Sequence, residues 1–428
     1  MGPADDDGES ITTMANDNIQ IALIGAGGMG QSDARMSTSL PGVKLVAACD
    51  LYTSRLEHCK EVWGKDILAT RDYREILARR DVDAVIIGTP DHWHSRITID
   101  ALNAGKDVYC EKPMVQKISQ GKEVVDAHRK SDRILQIGSQ YASSISFLKA
   151  KQLLAAGVIG KLNLVEAWLD RDTAMGAWQY SIPYDASPQT VDWDRYLSDL
   201  APKRPFDALR FFRWRNYQDY GTGVAGDLFV HLLTGVHVVT DSIGPTRVYA
   251  TGGLRYWKDG RDVPDVMLAS MDYPSFTLAL RVNFKSSVPS GEEFGLRFVG
   301  SEGNMMVTMS DLRVSKQPRE SEPGYTVDTF SAAQQTAVLA AYREKYPPRV
   351  VTPEDLGSND ALHFVQPRGY NAHLEHHKNF INGVRTRKPF FEDSVFGFRT
   401  AGPSLLTGVS INEGKACGWD AESMTRTA

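Results

Sequence analysis

The stretch that decides the fold of this 428-residue chain is IQIALIGAGGMG, residues 19–30. Its first six residues are apolar enough for a buried strand, and the glycines that follow fit the pattern G-x-G-x-x-G. Gly25 permits a tight turn, Gly27 lets a pyrophosphate approach the backbone, and Gly30 lets the next helix pack closely on the strand. The N-terminus of that helix offers amides and partial positive charge to phosphate. The stretch predicts a dinucleotide site formed by Gly25, Gly27, Gly28, Met29 and Gly30.

The first third of the chain repeats this rhythm. VKLVAACD (43–50), DAVIIGTP (83–90) and DVYCEKP (107–113) are short apolar runs that alternate with helical patterns. Such alternation predicts βαβ units and a parallel sheet buried on both faces. Asp50 ends the second strand, where an acid accepts hydrogen bonds from ribose hydroxyls and repels a 2′-phosphate. The sequence therefore favours NAD over NADP, and Arg55 on the next helix is the feature that argues for NADP.

After about residue 140 the pattern changes to longer strand candidates joined by tight turns, which predict an antiparallel sheet. We expect an α/β chain with an N-terminal Rossmann domain at 19–140. An α+β domain with a large, mostly antiparallel open sheet is expected at 141–390. Residues 1–18 are acidic and polar and are expected to form a disordered tail. The last segment, 391–428, begins with an apolar, helical pattern.

Composition excludes several classes of protein. A formal net charge of -5 is small for this length and argues against nucleic acid as the main partner. No run approaches the ~20 apolar residues that a membrane helix needs, so no membrane partner is expected. The four cysteines include no CxxC pair and are predicted to be buried, reduced thiols.

Lys112 stands at the end of a predicted parallel strand, between Glu111 and Pro113. Ligands of open parallel sheets bind outside the carboxyl ends of the strands, so Lys112 is expected to project into the cofactor crevice. Glu111 is placed to hold the ammonium group, and Pro113 to fix the turn. On these residues alone, a solvated lysine is the simpler interpretation.

Three motifs, GAGGMG (25–30), TPDHWH (89–94) and GKDVYCEKP (105–113), at these intervals resemble the Gfo/Idh/MocA oxidoreductases. This is the glucose–fructose oxidoreductase and inositol dehydrogenase family, and the resemblance runs from about residue 19 to 411. It implies that Lys112 contacts the nicotinamide ribose and the substrate hydroxyl. The predicted cofactor contacts outside the glycine loop are Asp50, Thr89, Pro90, Trp93, His94, Glu111, Lys112 and Gln140.

Family members carry an acid and a histidine four residues apart on a helix of the second domain, and Asp227 and His231 in GDLFVH fit this pattern. The i, i+4 spacing puts both on one helical face. A neighbouring carboxylate can fix the tautomer of an imidazole and raise its basicity. From the residues alone a helix-stabilising pair is the alternative. With the resemblance, His231 is predicted to be the base, with Lys112 and the substrate-positioning Asp227, whereas His237 is expected to be a packing or rim residue.

Two stretches rich in aromatic and arginine side chains, DRDTAMGAW (170–178) and RFFRWRNYQDYGTG (210–223), are interpreted either as packing loops or as walls of a sugar pocket. The long loops from 171 to 220 favour a larger glycoside-like substrate or an oligomer contact. The predicted substrate contacts are Arg171, Trp178, Arg213 and Tyr217.

No metal site is predicted. His377 falls in line with an apolar stripe, whereas His363, His373 and His376 can face solvent. His94 follows a strand end, where cofactor contact is more natural than metal binding.

The leading hypothesis is an NAD-dependent dehydrogenase that takes hydride from a secondary hydroxyl of a sugar, polyol or glycoside. The alternative is a redox-neutral, NAD-dependent glycoside hydrolase or lyase that works through a transient keto-sugar. A non-catalytic nicotinamide sensor is disfavoured because Lys112, Asp227 and His231 are all present.

The resemblance also implies a homo-oligomer, and a C-terminal segment that packs back on the Rossmann domain. A cytoplasmic location is expected, and a periplasmic one, after removal of a twin-arginine signal, is the alternative.

Overall fold

A computed structural model of the chain describes residues 18–289, 291–316, 324, 326–347 and 362–427. The predicted disordered tail therefore lies outside the described residues, apart from residue 18. The elements form two sheets, one of six strands and one of ten.

The first sheet is entirely parallel, in the order β3-β2-β1-β4-β5-β6, and helices connect its strands. Its strands are β1 (Ile19–Ile24), β2 (Val43–Cys49), β3 (Leu68–Thr70), β4 (Ala84–Ile87), β5 (Asp107–Glu111) and β6 (Leu135–Gly138). Its helices are α1 (Gly28–Thr38), α2 (Thr53–Trp63), α3 (Tyr73–Leu77), α4 (Asp91–Asn103) and α5 (Gly121–Lys130). Strands β4 and β5 are buried at every residue, which explains their continuous apolar runs. The predicted Rossmann fold is confirmed.

The helical pattern DYREILARR, residues 72–80, contains α3, which spans Tyr73–Leu77. One local expectation is wrong in this domain. His92 and His94 do not end a strand, because they lie in the first turn of α4.

The second sheet has the order β14-β13-β12-β11-β7-β10-β9-β8-β15-β16 and is antiparallel except where β7 pairs with β10. Its strands are β7 (Leu162–Leu169), β8 (Arg247–Gly253), β9 (Val266–Asp272), β10 (Thr277–Asn283), β11 (Phe294–Gly300), β12 (Gly303–Val307), β13 (Asp311–Lys316), β14 (Leu362–Val365), β15 (Cys417–Asp420) and β16 (Thr425–Thr427). The remaining α-helices are α6 (Ile145–Ala155), α7 (Trp193–Leu197), α8 (Ala208–Phe212), α9 (Val230–Thr240), α10 (Ala332–Lys345), α11 (Ala372–Thr386) and α12 (Ser394–Glu413). The expected mostly antiparallel open sheet is confirmed.

One face of this sheet is covered by helices and the other is exposed. Burial alternates residue by residue along β8, β9 and β10, as expected for a strand buried on one face only. Helix α9 is buried at ten consecutive positions, from Val230 to Val239, which explains its almost wholly apolar sequence.

Helix α12 touches both parts of the chain. A Cβ added at Gly397 would lie 2.5 Å from Ile137 of β6, and one added at Gly121 of α5 would lie 2.0 Å from Phe398. The same helix packs on β8 of the second sheet, and the residues that follow it form β15 and β16 of that sheet. The C-terminal segment thus contacts the Rossmann domain and also completes the second one.

All four cysteines are buried free thiols, as predicted. Among the described residues, no helix combines the length and apolar character that crossing a membrane requires.

Candidate active site

The turn between β1 and α1 is shaped by its glycines. Gly25 has φ +92°, a conformation that side chains rarely adopt, and a Cβ at Gly30 would lie 2.1 Å from the carbonyl oxygen of Gly25. By contrast, a Cβ at Gly28 would meet nothing within 4 Å, so the backbone there is open. No side chain caps the N-terminus of α1 and its first turn holds no acid. The free amides of this turn suit the pyrophosphate of a dinucleotide.

A cavity of about 510 Å³ runs along this turn and across the carboxyl ends of β1, β2 and β4. Of the predicted cofactor contacts, those that line it are Gly25, Gly27, Gly28, Met29, Asp50, Thr89, Pro90 and Trp93. Gly30, His94, Glu111, Lys112 and Gln140 do not, although Gly30 shapes the turn from behind.

Asp50 is 6% exposed and ties the first two strands together. Its carboxylate oxygens accept hydrogen bonds from the amides of Ala26 at 2.8 Å and Tyr52 at 2.9 Å. The Arg55 guanidinium lies 3.5 Å away and also lines the cavity. The acid and the arginine that argue for NAD and for NADP are therefore partners of each other.

A second wall of the cavity comes from the other domain, from residues 180–220, which we call the cover segment. It is held on the loop after β2 by backbone hydrogen bonds, from the Thr53 amide to the Thr190 carbonyl at 3.0 Å and from the Asp192 amide to the Leu51 carbonyl at 2.9 Å. Its cavity-lining residues are Tyr180, Ser181, Arg195, Tyr196, Phe211, Phe212, Trp214 and Arg215. The cover segment thus faces the cofactor turn, a position that the expectation of a substrate or oligomer loop did not include.

The aromatic residues of the cover segment form a small core of their own. Tyr52 meets Phe212 edge-on with ring centroids 5.2 Å apart, and Trp193 stacks on Tyr196 at 5.0 Å. His92 joins this core, because its ring nitrogens lie against the carbonyl oxygens of Tyr196 and Tyr220. Burial of these rings stabilises the position of the segment against the loop after β2.

Lys112 joins the two domains at the end of β5. Its ammonium group donates hydrogen bonds to Asp227 Oδ1 at 2.8 Å and to the Asp227 carbonyl oxygen at 3.0 Å. Arg215 Nε donates to the same Oδ1 at 3.2 Å. Burial alone would raise the pKa of Asp227, but the charges of Lys112 and Arg215 hold it below its usual value. The pair is almost completely buried, so each charge is compensated by the other and not by water.

Asp227 and His231 are related differently from the prediction. Residues Ala225–Phe229 form a π-helical turn, and α9 begins only at Val230. Asp227 bonds Lys112 and Arg215, whereas His231 Nδ1 is buried without a hydrogen-bond partner. Asp227 bonds Lys112 because β5 of the other domain brings Lys112 to this turn. π-helical turns are frequent at functional sites.

His231 lies against the ring of Tyr141, with centroids 4.5 Å apart. Burial, followed by the charge of Lys112, lowers the pKa of His231 well below its ordinary value. The imidazole is consequently neutral near pH 7.

Two predicted cofactor contacts, Glu111 and His94, bond other groups of the protein and do not line the cavity. Glu111 does not hold Lys112, because its Oε1 accepts a hydrogen bond from Gln140 Nε2 at 2.8 Å. Its carboxyl group is fully enclosed, and burial raises its pKa well above the ordinary value. His94 lies between the carbonyl oxygens of Pro113 at 2.7 Å and Thr89 at 2.8 Å, so its ring supports the cavity wall and does not face the cavity.

The predicted substrate contacts lie beside the cavity and do not line it. Trp178 is completely buried against Phe284, and Tyr217 packs under Arg210. Arg171 donates to the Gly176 carbonyl at 2.7 Å, and Arg213 Nε to the Tyr180 carbonyl at 2.7 Å. In the same stretch, Trp214 and Arg215, which the sequence did not single out, line this cavity at the cofactor turn. The four substrate contacts stay predictions. The loop is irregular, so no periodic pattern in its sequence distinguishes the residues that line the cavity from their neighbours.

Comparison with known proteins agrees with this geometry. A family model described as an oxidoreductase family with an NAD-binding Rossmann fold matches residues 19–139. Inositol 2-dehydrogenase of Gluconacetobacter diazotrophicus is 30% identical over 208 residues, which cover 46% of this chain and 61% of that enzyme. The enzyme of the same name from Rubrobacter xylanophilus is 29% identical over 185 residues, 42% of this chain and 53% of that one. The chain thus spans less than two thirds of the length of these relatives.

Solved structures extend the likeness to nearly the whole chain. A levoglucosan dehydrogenase in complex with NADH and L-sorbose has a TM-score of 0.66 at 16% identity, over 93% of this chain and 98% of that one. The WlbA dehydrogenase of Bordetella pertussis, in complex with NADH and UDP-GlcNAcA, has a TM-score of 0.67 at 15% identity, over 94% and 99%. At these identities the likeness shows a shared fold. The matching NAD-binding domain, residues 19–139, and the inositol 2-dehydrogenase relatives support the Gfo/Idh/MocA oxidoreductase family as the family of this chain.

Proposed function

We propose that this protein is an NAD-dependent oxidoreductase that removes hydride from a secondary hydroxyl of a sugar, polyol or glycoside. The observation that carries the proposal is the contact between Lys112 and Asp227, which joins the two domains beside His231. An ammonium group and a neutral imidazole at the end of a nucleotide-binding sheet are the two groups that alcohol oxidation needs. The similar proteins include dehydrogenases that are named for inositol and for levoglucosan. These names support a polyhydroxylated substrate.

The residues that would hold the cofactor fit an NAD molecule. The open backbone at Gly28 and the uncapped start of α1 suit its pyrophosphate, and Asp50 is placed for the adenosine ribose. The carboxylate of Asp50 disfavours a 2′-phosphate, although Arg55 beside it reduces that preference. When bound, the nicotinamide supplies a hydride acceptor.

The side chains then divide the remaining work. His231, neutral near pH 7, accepts the hydroxyl proton as the carbinol hydrogen leaves. Lys112 stabilises the negative charge that develops on the oxygen, and its own position is fixed by the bond to Asp227. Arg215 shares the Asp227 carboxylate and keeps it ionised.

The test is nicotinamide absorbance in the near ultraviolet, with NAD and a panel of free sugars, polyols and glycosides. We expect the absorbance to rise with one class of substrate. The rate of that rise should be about 10²–10⁴-fold lower in His231→Gln and Lys112→Met. His237→Gln is the matched control, because His237 is also buried on α9 but bonds Tyr273 at 2.8 Å, away from the site. Equal losses in the two histidine variants would contradict the assignment of His231 as the base.

A second candidate is the redox-neutral reaction, in which a hydroxyl of the glycoside would be oxidised transiently to a ketone, the aglycone would be eliminated, and the same retained NAD would return the hydride and restore the hydroxyl. The cover segment favours it, because backbone hydrogen bonds and an aromatic core hold residues 180–220 against the cofactor turn. A retained cofactor predicts substrate consumption without net NADH. Purified protein would then release stoichiometric NAD only on unfolding, and Phe212→Ala would release it on dialysis; free exchange in the unmodified protein would exclude this candidate.

We also propose that the exposed face of the second sheet forms a homo-oligomer contact. Tyr249 on β8 and Leu268 on β9 are 48% and 47% exposed there. Sedimentation of Leu268→Lys beside the unmodified protein tests this contact.

A further inference from the structure

A second group of polar side chains lies between helices α1 and α11, away from the cofactor cavity. Asp33 of α1 faces two histidines of α11, His373 and His377, which are one helical turn apart. The Asp33 Oδ1 atom lies 2.7 Å from His373 Nε2 and 3.3 Å from His377 Nε2. Asp33 and His377 are completely buried, and the His373 side chain is 20% exposed.

This arrangement has the chemistry of a metal-binding triad. One atom from each residue, a carboxylate oxygen and two imidazole nitrogens, lies within 4.8 Å of the other two. Metal–ligand bonds of about 2.0–2.1 Å at tetrahedral angles place neighbouring ligand atoms about 3.3 Å apart. The second nitrogen of His377, Nδ1, lies 2.9 Å from Ser37 Oγ, which matches the hydrogen bond that orients a metal-bound imidazole from behind.

An independent observation favours a bound cation at this triad. The other carboxylate oxygen of Asp33, Oδ2, is buried without any hydrogen-bond partner. Within the described ranges the ion-pair partners of Asp33 are the two histidines, and no lysine or arginine reaches it. A buried carboxylate without a permanent cation is costly, so the site has an unmet demand for positive charge.

We propose that Asp33, His373 and His377 bind one divalent transition-metal ion of the zinc class. Two imidazoles and one carboxylate are ligands that Zn²⁺ accepts readily, whereas Mg²⁺ and Ca²⁺ prefer all-oxygen sites. Water completes the coordination, and the partly exposed edge of His373 provides the entry path. This proposal departs from the sequence-based expectation of no metal site.

The ion would fasten α11 to the helix that opens the cofactor turn. Asp33 follows Gly30 by three residues on α1, so a metal at Asp33 restrains the same helix whose N-terminus faces the cofactor cavity. Bound metal is therefore expected to stabilise the native chain, because it binds the folded state and not the separated helices.

The sequence could not indicate this site. His373 and His377 have a common helical spacing, but Asp33 is 340 residues away along the chain from His373. His376 was expected to face solvent and is instead fully buried, with its ring against Ser143 Oγ and the Ile137 carbonyl. Only the packing of α1 on α11 decides which histidines meet an acid.

The experiment is equilibrium binding of Zn²⁺ and Co²⁺ to the purified full-length chain, with the metal content measured after dialysis and the thermal midpoint measured with and without metal. We expect one equivalent of Zn²⁺ and a raised midpoint. The visible absorbance of the Co²⁺ form should show nitrogen and oxygen ligands without sulfur charge transfer. His373→Gln and Asp33→Asn should each lose the equivalent, and Ser37→Ala should weaken binding about 10–100-fold.

His363→Gln is the matched control, since His363 also pairs with a carboxylate, Asp311, but at an exposed two-residue contact. It should retain the full equivalent. His373→Gln keeps the test valid if Asp33→Asn fails to fold, because His373 is partly exposed. Failure to bind Zn²⁺ at micromolar concentration, or unchanged stoichiometry in a folded His373→Gln protein, would overturn the proposal and leave a hydrogen-bonded triad.

Discussion

The contact between Lys112 and Asp227 allows a prediction that needs no knowledge of the substrate. We consider Lys112→Met, Asp227→Asn and the double variant. The ammonium and carboxylate lie 2.8 Å apart, with side chains 9% and 5% exposed. Removing one partner of such a pair strands a buried charge and costs about 3–5 kcal/mol of unfolding free energy.

The two single variants should differ in a definite order. In Lys112→Met the carboxylate keeps Arg215, whose Nε is 3.2 Å from the same oxygen. In Asp227→Asn the buried Lys112 and the partly buried Arg215 lose their common counter-charge. Asp227→Asn is therefore expected to be the less stable protein, and the double variant should lose about 2–3 kcal/mol less than the sum of the single losses.

The assay is urea unfolding followed by tryptophan fluorescence and circular dichroism. Lys151→Met is the control, because its partner Asp241 is 71% exposed and such surface pairs contribute at most about 1 kcal/mol. Since the pKa of Asp227 is depressed in the native state, the loss in Lys112→Met should be complete above about pH 4 and shrink as pH falls further. Single losses below about 1 kcal/mol that add in the double variant would refute the reasoning.

Three further predictions concern the cofactor turn and its surroundings. Gly30→Ala should destabilise the free protein, because its Cβ would lie 2.1 Å from a carbonyl oxygen. Gly28→Ala should leave the thermal stability unchanged, and fluorescence titration should show NADH binding weakened at least about tenfold. Asp50→Ser should raise the ratio of NADPH to NADH affinity by about tenfold or more, and an unchanged ratio would contradict its ribose role. Burial, then the charge of Asp227, raises the pKa of Asp91 to about 7, so the unfolded chain loses this proton first as pH rises from about 4 to 7. Asp91→Asn should therefore gain stability relative to the unmodified protein by a few kcal/mol across that range in urea unfolding, and parallel curves would show that Asp91 titrates normally.

The elements that carry strong local signals were predictable. The alternation of short apolar runs and helices, the glycine turn and the acid after β2 specified a parallel nucleotide-binding sheet, because each depends on residues within about 30 positions of one another. The place of Lys112 directly after a parallel strand followed from the same logic, although from the residues alone a solvated lysine was the simpler interpretation.

Contacts between distant segments were not predictable in this way. Asp227 was expected to serve His231 on its own helix and instead bonds Lys112, 115 residues earlier in the chain. Glu111 was expected to hold that lysine and instead bonds Gln140. In both cases a charged group has more than one possible partner, and the distances that decide between them depend on how the two domains pack.

The sequence by itself determined the kind of fold, the place of the dinucleotide turn and the resemblance to a family, because glycine conformation, strand periodicity and short motifs are local properties. Tertiary structure alone decided which side chains meet. It placed residues 180–220 over the cofactor cavity, directed Trp214 and Arg215 into it, and brought Asp33 to His373 and His377. The physical reason is that hydrogen bonds and ion pairs act over a few ångströms, while the residues that form them here are tens to hundreds of positions apart.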